Sequence, residues 1–143
     1  MNILILSLTS VTAMLAACSS PANQAQDKAE DRIENVAANS AATSGSTILA
    51  LGMTEQQFLD AELVDASGTE LADVMAVVRG ASGAPEKLLV EIEDSNPDKF
   101  VHVPLDGLKP KQDGDDWDLV TTMTRAQLDA LPAVSLTASG AAN

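Results

Sequence analysis

The stretch Leu71-Ala72-Asp73-Val74-Met75-Ala76-Val77-Val78-Arg79, followed after a short loop by Lys87-Leu88-Leu89-Val90-Glu91-Ile92-Glu93, decides the fold class. Residues 71–79 are apolar on both faces, with Val74, Ala76 and Val78 against Leu71, Met75 and Val77. Such a strand needs cover on both sides and belongs in the middle of a sheet. Residues 87–93 alternate, with Leu88, Val90 and Ile92 inward and Lys87, Glu91 and Glu93 outward. That is the pattern of a strand with one face in the core. Gly80, Gly83 and Pro85 mark the loop between the two.

Working outward, further short strands follow at intervals typical of a sandwich or barrel. Leu59 to Asp65 alternates, with Leu59, Ala61 and Leu63 on one side, and Ala66-Ser67-Gly68 turns the chain. Glu93 to Lys99 is a polar loop broken at Asn96-Pro97. Phe100 to Pro104 is a strand with Val101 and Val103 inward, and Asp106-Gly107 is a turn. Pro110 confines the strand over 108–112 to an edge or a bulge. Asp113-Gly114 signals a hairpin into a last strand, Asp116 to Met123, with Trp117, Leu119 and Met123 on one side. Thr54-Glu55-Gln56-Gln57 and Thr124-Arg125-Ala126-Gln127 both have capping-box form. Each predicts a short helix; the second, stopped by Pro132, plugs one end of the core. The expected fold is mainly β: about six short strands with a short C-terminal helix. With Phe58, Phe100 and Trp117 the only aromatics, the core must be aliphatic.

The other organising point is Cys18, the only cysteine, at the end of Leu15-Ala16-Ala17-Cys18. Residues 3–17 are apolar or small and uncharged. Such a run suits a signal-peptide core and falls short of the roughly 20 residues of a membrane-crossing helix. No Lys or Arg precedes it. The box resembles that of bacterial lipoproteins, where the cysteine becomes the first residue and is acylated. An ordinary signal peptide cut nearby and a buried structural cysteine are the alternatives. Acylation at Cys18 implies attachment to the lipid bilayer, since two or more acyl chains hold stably. Ser19 in the second position implies the outer membrane and a periplasm-facing domain. One cysteine allows no intrachain disulfide.

These signals divide the chain into a lipoprotein signal peptide (1–17), a tether (18–47), a β domain (48–134) and a frayed tail (135–143). The tether is rich in Ala, Ser, Asn and Gln, with a thin stripe at Ala25, Ala29, Ile33, Val36 and Ala37. It predicts a lone or fluctuating helix over 24–38, or a coiled-coil segment, and then a flexible linker over 39–47. Fully flexible, it would let the domain hang roughly 30 Å from the anchor. All 21 acidic and 8 basic residues follow Ala17, for a formal net charge of −13. That charge argues against nucleic acid, which demands clustered Lys and Arg.

Four stretches in order resemble the PRC-barrel family, whose members include the photosynthetic reaction-centre H subunit and a ribosome-maturation factor. They are Ala61-Glu62-Leu63-Val64-Asp65-Ala66-Ser67-Gly68-Thr69-Glu70-Leu71, Leu88-Leu89-Val90-Glu91-Ile92, Val101-His102-Val103-Pro104-Leu105-Asp106-Gly107-Leu108, and the closing Met123-Thr124-Arg125-Ala126-Gln127-Leu128-Asp129-Ala130-Leu131-Pro132. The family often has Gly where Ala72 stands, and a Gly-rich segment where this chain has residues 93–99. The resemblance implies a small β-barrel-like module for docking and assembly, with no shared catalytic residues and no cofactor. On a lipid anchor it implies protein–protein interaction at the cell envelope, with an envelope protein or with itself as partner.

Candidate sites are few. Asp113, Asp115, Asp116 and Asp118 place four carboxylates in six residues, a composition that hard cations such as calcium favour. The calcium-loop pattern fails, with Asp118 where glycine is needed and Thr124 where glutamate is needed. A solvated hairpin and a weak calcium site both remain open, the latter making a ligand or cation binder the alternative function. A structural or stress-related envelope lipoprotein is a third. His102, the only histidine, alternates outward and reads as a surface side chain. No Gly-x-Ser-x-Gly elbow or phosphate loop occurs, so no enzyme activity is expected. Leu89, Val64 and Phe100 would form an apolar docking patch if they face outward.

Overall fold

The computed structural model describes residues 21–136; Cys18, Ser19, the apolar run before them and residues 137–143 lie outside the described residues. The elements are α1 (Pro21–Ser44), β1 (Ile48–Ala50), β2 (Met53–Thr54), α2 (Glu55–Leu59), β3 (Glu62–Val64), β4 (Glu70–Arg79), β5 (Pro85–Ile92), β6 (Phe100–Pro104), β7 (Lys109–Asp113), β8 (Asp116–Val120) and α3 (Arg125–Asp129). The fold is mainly β. Six strands form one sheet in the order β6-β5-β4-β3-β8-β7, and β1 and β2 form a small second sheet. The six-stranded sheet is open, with β6 and β7 as its edges.

β4 and β5 lie inside the sheet, as their hydrophobic runs require. All pairs are antiparallel except β3 with β8, where Leu63 lies opposite Leu119. Pro110 sits in edge strand β7, where its missing N–H breaks no inner ladder. One cluster gathers Leu63, Ala72, Val74, Leu88, Val90, Ile92, Val101, Val103 and Leu119. Side chains from both halves of the sheet thus meet in one core, so the sheet curls around it as in a small barrel. Met53 and Phe58 enter that core from β2 and α2, and Leu128 from α3, all fully buried. Both capping boxes form as predicted. Lys99 Nζ donates to Asp129 O and Arg125 Nη2 to Glu93 O, tying α3 to the loop after β5.

β4 departs from simple alternation. Val74 pairs with Val90 and Ala76 with Leu89, leaving Met75 as an extra residue in a β-bulge. Ala72 and Val74 face the main core before the bulge, and Val77 faces it afterwards. Met75, Ala76 and Val78 turn to the other face, with Leu89 and Phe100. Likewise the strand expected from Leu59 is shorter. The capped helix α2 runs through Leu59, and β3 begins at Glu62. The β1–β2 turn was not legible: Leu51 and Gly52 both adopt positive φ, +50° and +80°, as a two-residue turn between paired Ala50 and Met53 requires.

The largest correction concerns residues 21–47. α1 runs unbroken from Pro21 to Ser44 and packs on the domain. Gln26, Ala29, Glu30, Ile33, Ala37, Ser40, Ala41 and Ser44 form its inward stripe, at spacings of three and four. Val36 and Ala25, expected on the stripe, are exposed. The residues expected to form a flexible linker are the last six of the helix and the segment that caps it, where Gly45, at φ +56°, donates its N–H to Ala41 O. Leu89 and Phe100 do face outward from the main core, but Ile33 of α1 and Val134 and Leu136 of the C-terminal segment cover them. They are 2% and 3% exposed, and Val64 is 2% exposed, so the expected docking patch is internal. Leu136 belongs to this packing, so the domain runs two residues past its expected end.

Ala41 tests the docked helix. It is 2% exposed, so Ala41→Leu forces three carbon atoms into a closed contact and should lower unfolding free energy by about 1–3 kcal/mol in urea titrations. In a flexible linker the same change would be silent.

Candidate functional site

α1 meets the sheet at two polar points, one at each end of the covered apolar face. At the C-terminal end stands Glu55, in the first turn of α2 and only 2% exposed. Its Oε1 accepts from Ser40 Oγ at 2.8 Å. Its Oε2 accepts from Ser44 Oγ at 2.7 Å and from Arg79 Nη2 at 2.7 Å. Arg79 also reaches Gly83 O at 3.4 Å. One buried carboxylate thus joins α1, α2 and the end of β4. Between this clamp and the C-terminal segment lies a groove of about 320 Å³, lined by Ala29, Ile33, Ala76, Val78, Val134 and Leu136 among others.

At the other end the junction is acidic. Glu91 of β5, Asp73 of β4, and Glu93, Asp94 and Asp98 line a polar cavity of about 210 Å³ with Ser95. Burial, with the negative charges of Glu30, Asp98, Asp73 and Glu93 added, pushes the Glu91 carboxyl up to about 7. Burial also raises Glu30 of α1, against a lowering hydrogen bond from Gln26 and with Asp98, Asp27 and Glu34 adding to the rise. Glu30 Oε1 is buried with no hydrogen-bond partner among the described residues. Gln26 Nε2 donates to Asp98 O at 3.3 Å, strapping α1 to the loop there. A folded state that keeps a proton on Glu91 loses stability as pH rises from the ordinary carboxylate range to about 7.

The residues singled out from the sequence are placed as follows. Cys18 lies outside the described residues. Asp113, Asp115, Asp116 and Asp118 stand on the β7–β8 hairpin, where Asp113 pairs with Asp116. Asp118 is held at 3.1 Å by Lys111, whose ammonium that hydrogen bond pushes up. The hairpin is open and does not gather the four carboxylates around a common point. The carboxylates that approach one another within 4.8 Å are Glu70, Asp73 and Glu93, from β4 and the residue after β5. They are surface acids, and we assign them no metal. His102 lies on the outer face opposite Leu89 and is half-buried. Burial, with Lys87 nearby, pushes its imidazole down, so it is uncharged at neutral pH.

The opening hairpin has its own anchor. Asp65 Oδ1 accepts from Ser67 N at 2.7 Å, Ser67 Oγ at 2.6 Å and Thr69 N at 3.0 Å. Those bonds hold its carboxyl below the usual range, the Ser67 hydroxyl foremost.

No protein-family model matches the sequence, and no curated protein matches it. The resemblance to PRC-barrel domains stands on the four stretches quoted above.

Arg79→Ala strands the buried Glu55 carboxylate and should cost on the order of 3 kcal/mol in urea unfolding. The double variant Glu55→Gln, Arg79→Met should recover most of that loss, because no unpaired charge is left. For Asp65 the sign is opposite to that of Glu91. Its contribution is present above the ordinary aspartate range and is lost as pH falls through its depressed value. Asp65→Ala should lower the midpoint of thermal unfolding at pH 7, and the gap from wild type should close in strong acid.

Proposed function

We propose that the protein is a non-enzymatic, lipid-anchored module of the bacterial cell envelope, PRC-barrel-like, that works by docking to an envelope protein or to a second copy of itself. The observation that carries this is the position of Cys18, the lone cysteine, at the end of an uncharged apolar run after Leu-Ala-Ala. An acylated Cys18 fixes the domain to a membrane, periplasm-facing, and Ser19 favours the outer one. The mainly β fold, with side chains from both halves of the six-stranded sheet meeting in its main core, supports the PRC-barrel-like part. The high acidity speaks against a nucleic-acid partner.

The docked α1 changes how such an anchor acts. Pro21, the first helical residue, is three residues from Cys18. Three extended residues reach at most about 11 Å. The domain is therefore held beside the bilayer, and its partners are membrane proteins or neighbours that come equally close. The large apolar side chains exposed among the described residues are Val36, Ile48 and Leu51, on α1 and the β1–β2 hairpin that follows it.

Mass spectra of wild type and Cys18→Ala, each with membrane fractionation, test the anchor. We expect the wild type acylated and membrane-bound, and the variant soluble and unmodified. A soluble, unacylated wild type would sink the envelope assignment. Crosslinking in cells then tests the docking. A strictly monomeric domain that captures no membrane neighbour would remove it.

A further inference from the structure

We propose that the groove between α1 and the sheet is a binding site for a single-chain fatty carboxylate, with its tail along α1 and its head at Arg79. The inference uses the fold alone and holds whether or not Cys18 carries lipid.

The shape suits a slender tail. The wall that α1 contributes is Ala29, Arg32, Ile33, Val36, Ala37 and Ser40. These recur at spacings of three and four, so they form one stripe of the helix. From first to last the stripe runs about 16 Å, the length of an extended chain of about ten carbons. Ala76 and Val78 of β4 and Val134 and Leu136 of the C-terminal segment complete the walls. Ile33 and these four are only half-buried, and Val36 is 58% exposed, so solvent reaches the apolar lining. At about 320 Å³ the groove falls at the small end of ligand pockets, which run about 300–1,000 Å³. One turn of a partner helix, about 10 Å across and 5.4 Å long, fills roughly 400 Å³ and exceeds it.

Charge selects the head. The charged residues that line the groove are Arg32, Arg79 and Glu55, two positive and one negative, for a net +1. The whole chain carries −13. Glu55 is 2% exposed and already accepts from Ser40, Ser44 and Arg79, so it offers nothing to a cation. Arg79 has donors to spare. A guanidinium carries five N–H groups. Nη2 donates to Glu55 and Nη1 to Gly83 O, and the side chain is 34% exposed. Its planar fork matches a carboxylate, with charge-assisted hydrogen bonds. One carboxylate cancels the net +1, whereas a phosphate monoester, at about −1.5 to −2, overshoots it.

The experiment is photolabelling of the full chain at pH 7 with decanoate that carries a diazirine in its tail, read by peptide mass spectrometry. Label should concentrate on residues 29–40, 76–79 and 134–136. Plain decanoate should displace it at a concentration about tenfold below that of decanol, which has the tail without the charge. Decyltrimethylammonium, of opposite charge, should compete no better than decanol. Ala76→Phe fills the groove with a ring and should abolish the labelling. Arg32→Gln takes the groove from +1 to zero, and should shrink the advantage of decanoate over decanol. Arg32 is exposed on α1, so this variant serves if Ala76→Phe does not fold.

Label spread over the chain in proportion to exposed surface would overturn the proposal in wild type alone. Equal competition by decanoate and decanol would do the same. Groove labelling that appears only after residues 137–143 are removed would give the groove to the chain's own tail. Labelling that falls as protein concentration rises would give it to a second copy. Either result overturns the assignment to a fatty carboxylate.

Discussion

Everything on the outer side of the sheet depends on one buried carboxylate. Glu55 stands in the first turn of a five-residue helix, a place its capping box fixes. From there it accepts two serine hydroxyls of α1 and the guanidinium of Arg79. A charge buried to 2% exposure is tolerable only with such a full set of donors. The set converts a desolvation cost into a geometric constraint. α1, α2 and the end of β4 must be in register together, or the carboxylate is stranded. The seat of α1 therefore follows from polar complementarity more than from apolar area.

The bulge at Met75 provides the surface on which that helix sits. A regular β4 would keep Val74, Ala76 and Val78 on the same face. One extra residue reverses the alternation, so the strand serves the main core with Ala72 and Val74 first and Val77 later. Met75, Ala76 and Val78 are freed for the outer face, beside Leu89 and Phe100. The sheet thus has two apolar faces of unequal weight. The inner one is closed by both sheet halves and by Phe58 and Leu128 at the ends. The outer one is small and depends on α1 and the segment around Val134.

The inner face was legible in the sequence, and the helix that covers the outer one was not, for a physical reason. Leu88, Val90 and Ile92, and then Val101 and Val103, recur at every second position, and two capping boxes announce their helices, so strands and short helices could be placed. Pro110 marked its edge. α1 leaves a thinner trace: Ala29, Ile33 and Ala37 of the expected stripe do face inward, but the stripe is too weak to show that the helix docks. Its inward stripe is Gln26, Ala29, Glu30, Ile33, Ala37, Ser40, Ala41 and Ser44, half of it polar. Hydrophobic periodicity cannot register a face that binds through hydroxyls and small side chains. The abundant alanines favoured a helix, yet nothing local said where it would lie. The acidic junction was hidden in the same way. Glu30 and Glu91 are 61 residues apart, and only the docked helix brings them together.

The two faces also differ in how firmly they hold. Removing a residue from the inner core breaks contacts with both sheet halves at once, so that core opens only with global unfolding. The outer cluster has three buried members, Met75, Leu89 and Phe100, and depends on α1, which Ser40 and Ser44 fasten to Glu55. Local opening free energies are lowest where apolar contacts are few and polar bonds are near solvent. The outer cluster, small and covered by an alanine-rich helix, meets the first condition. Built on alanine and serine, α1 covers the face through small side chains and through the hydroxyls that hold Glu55, and leaves the core that defines the fold to the sheet.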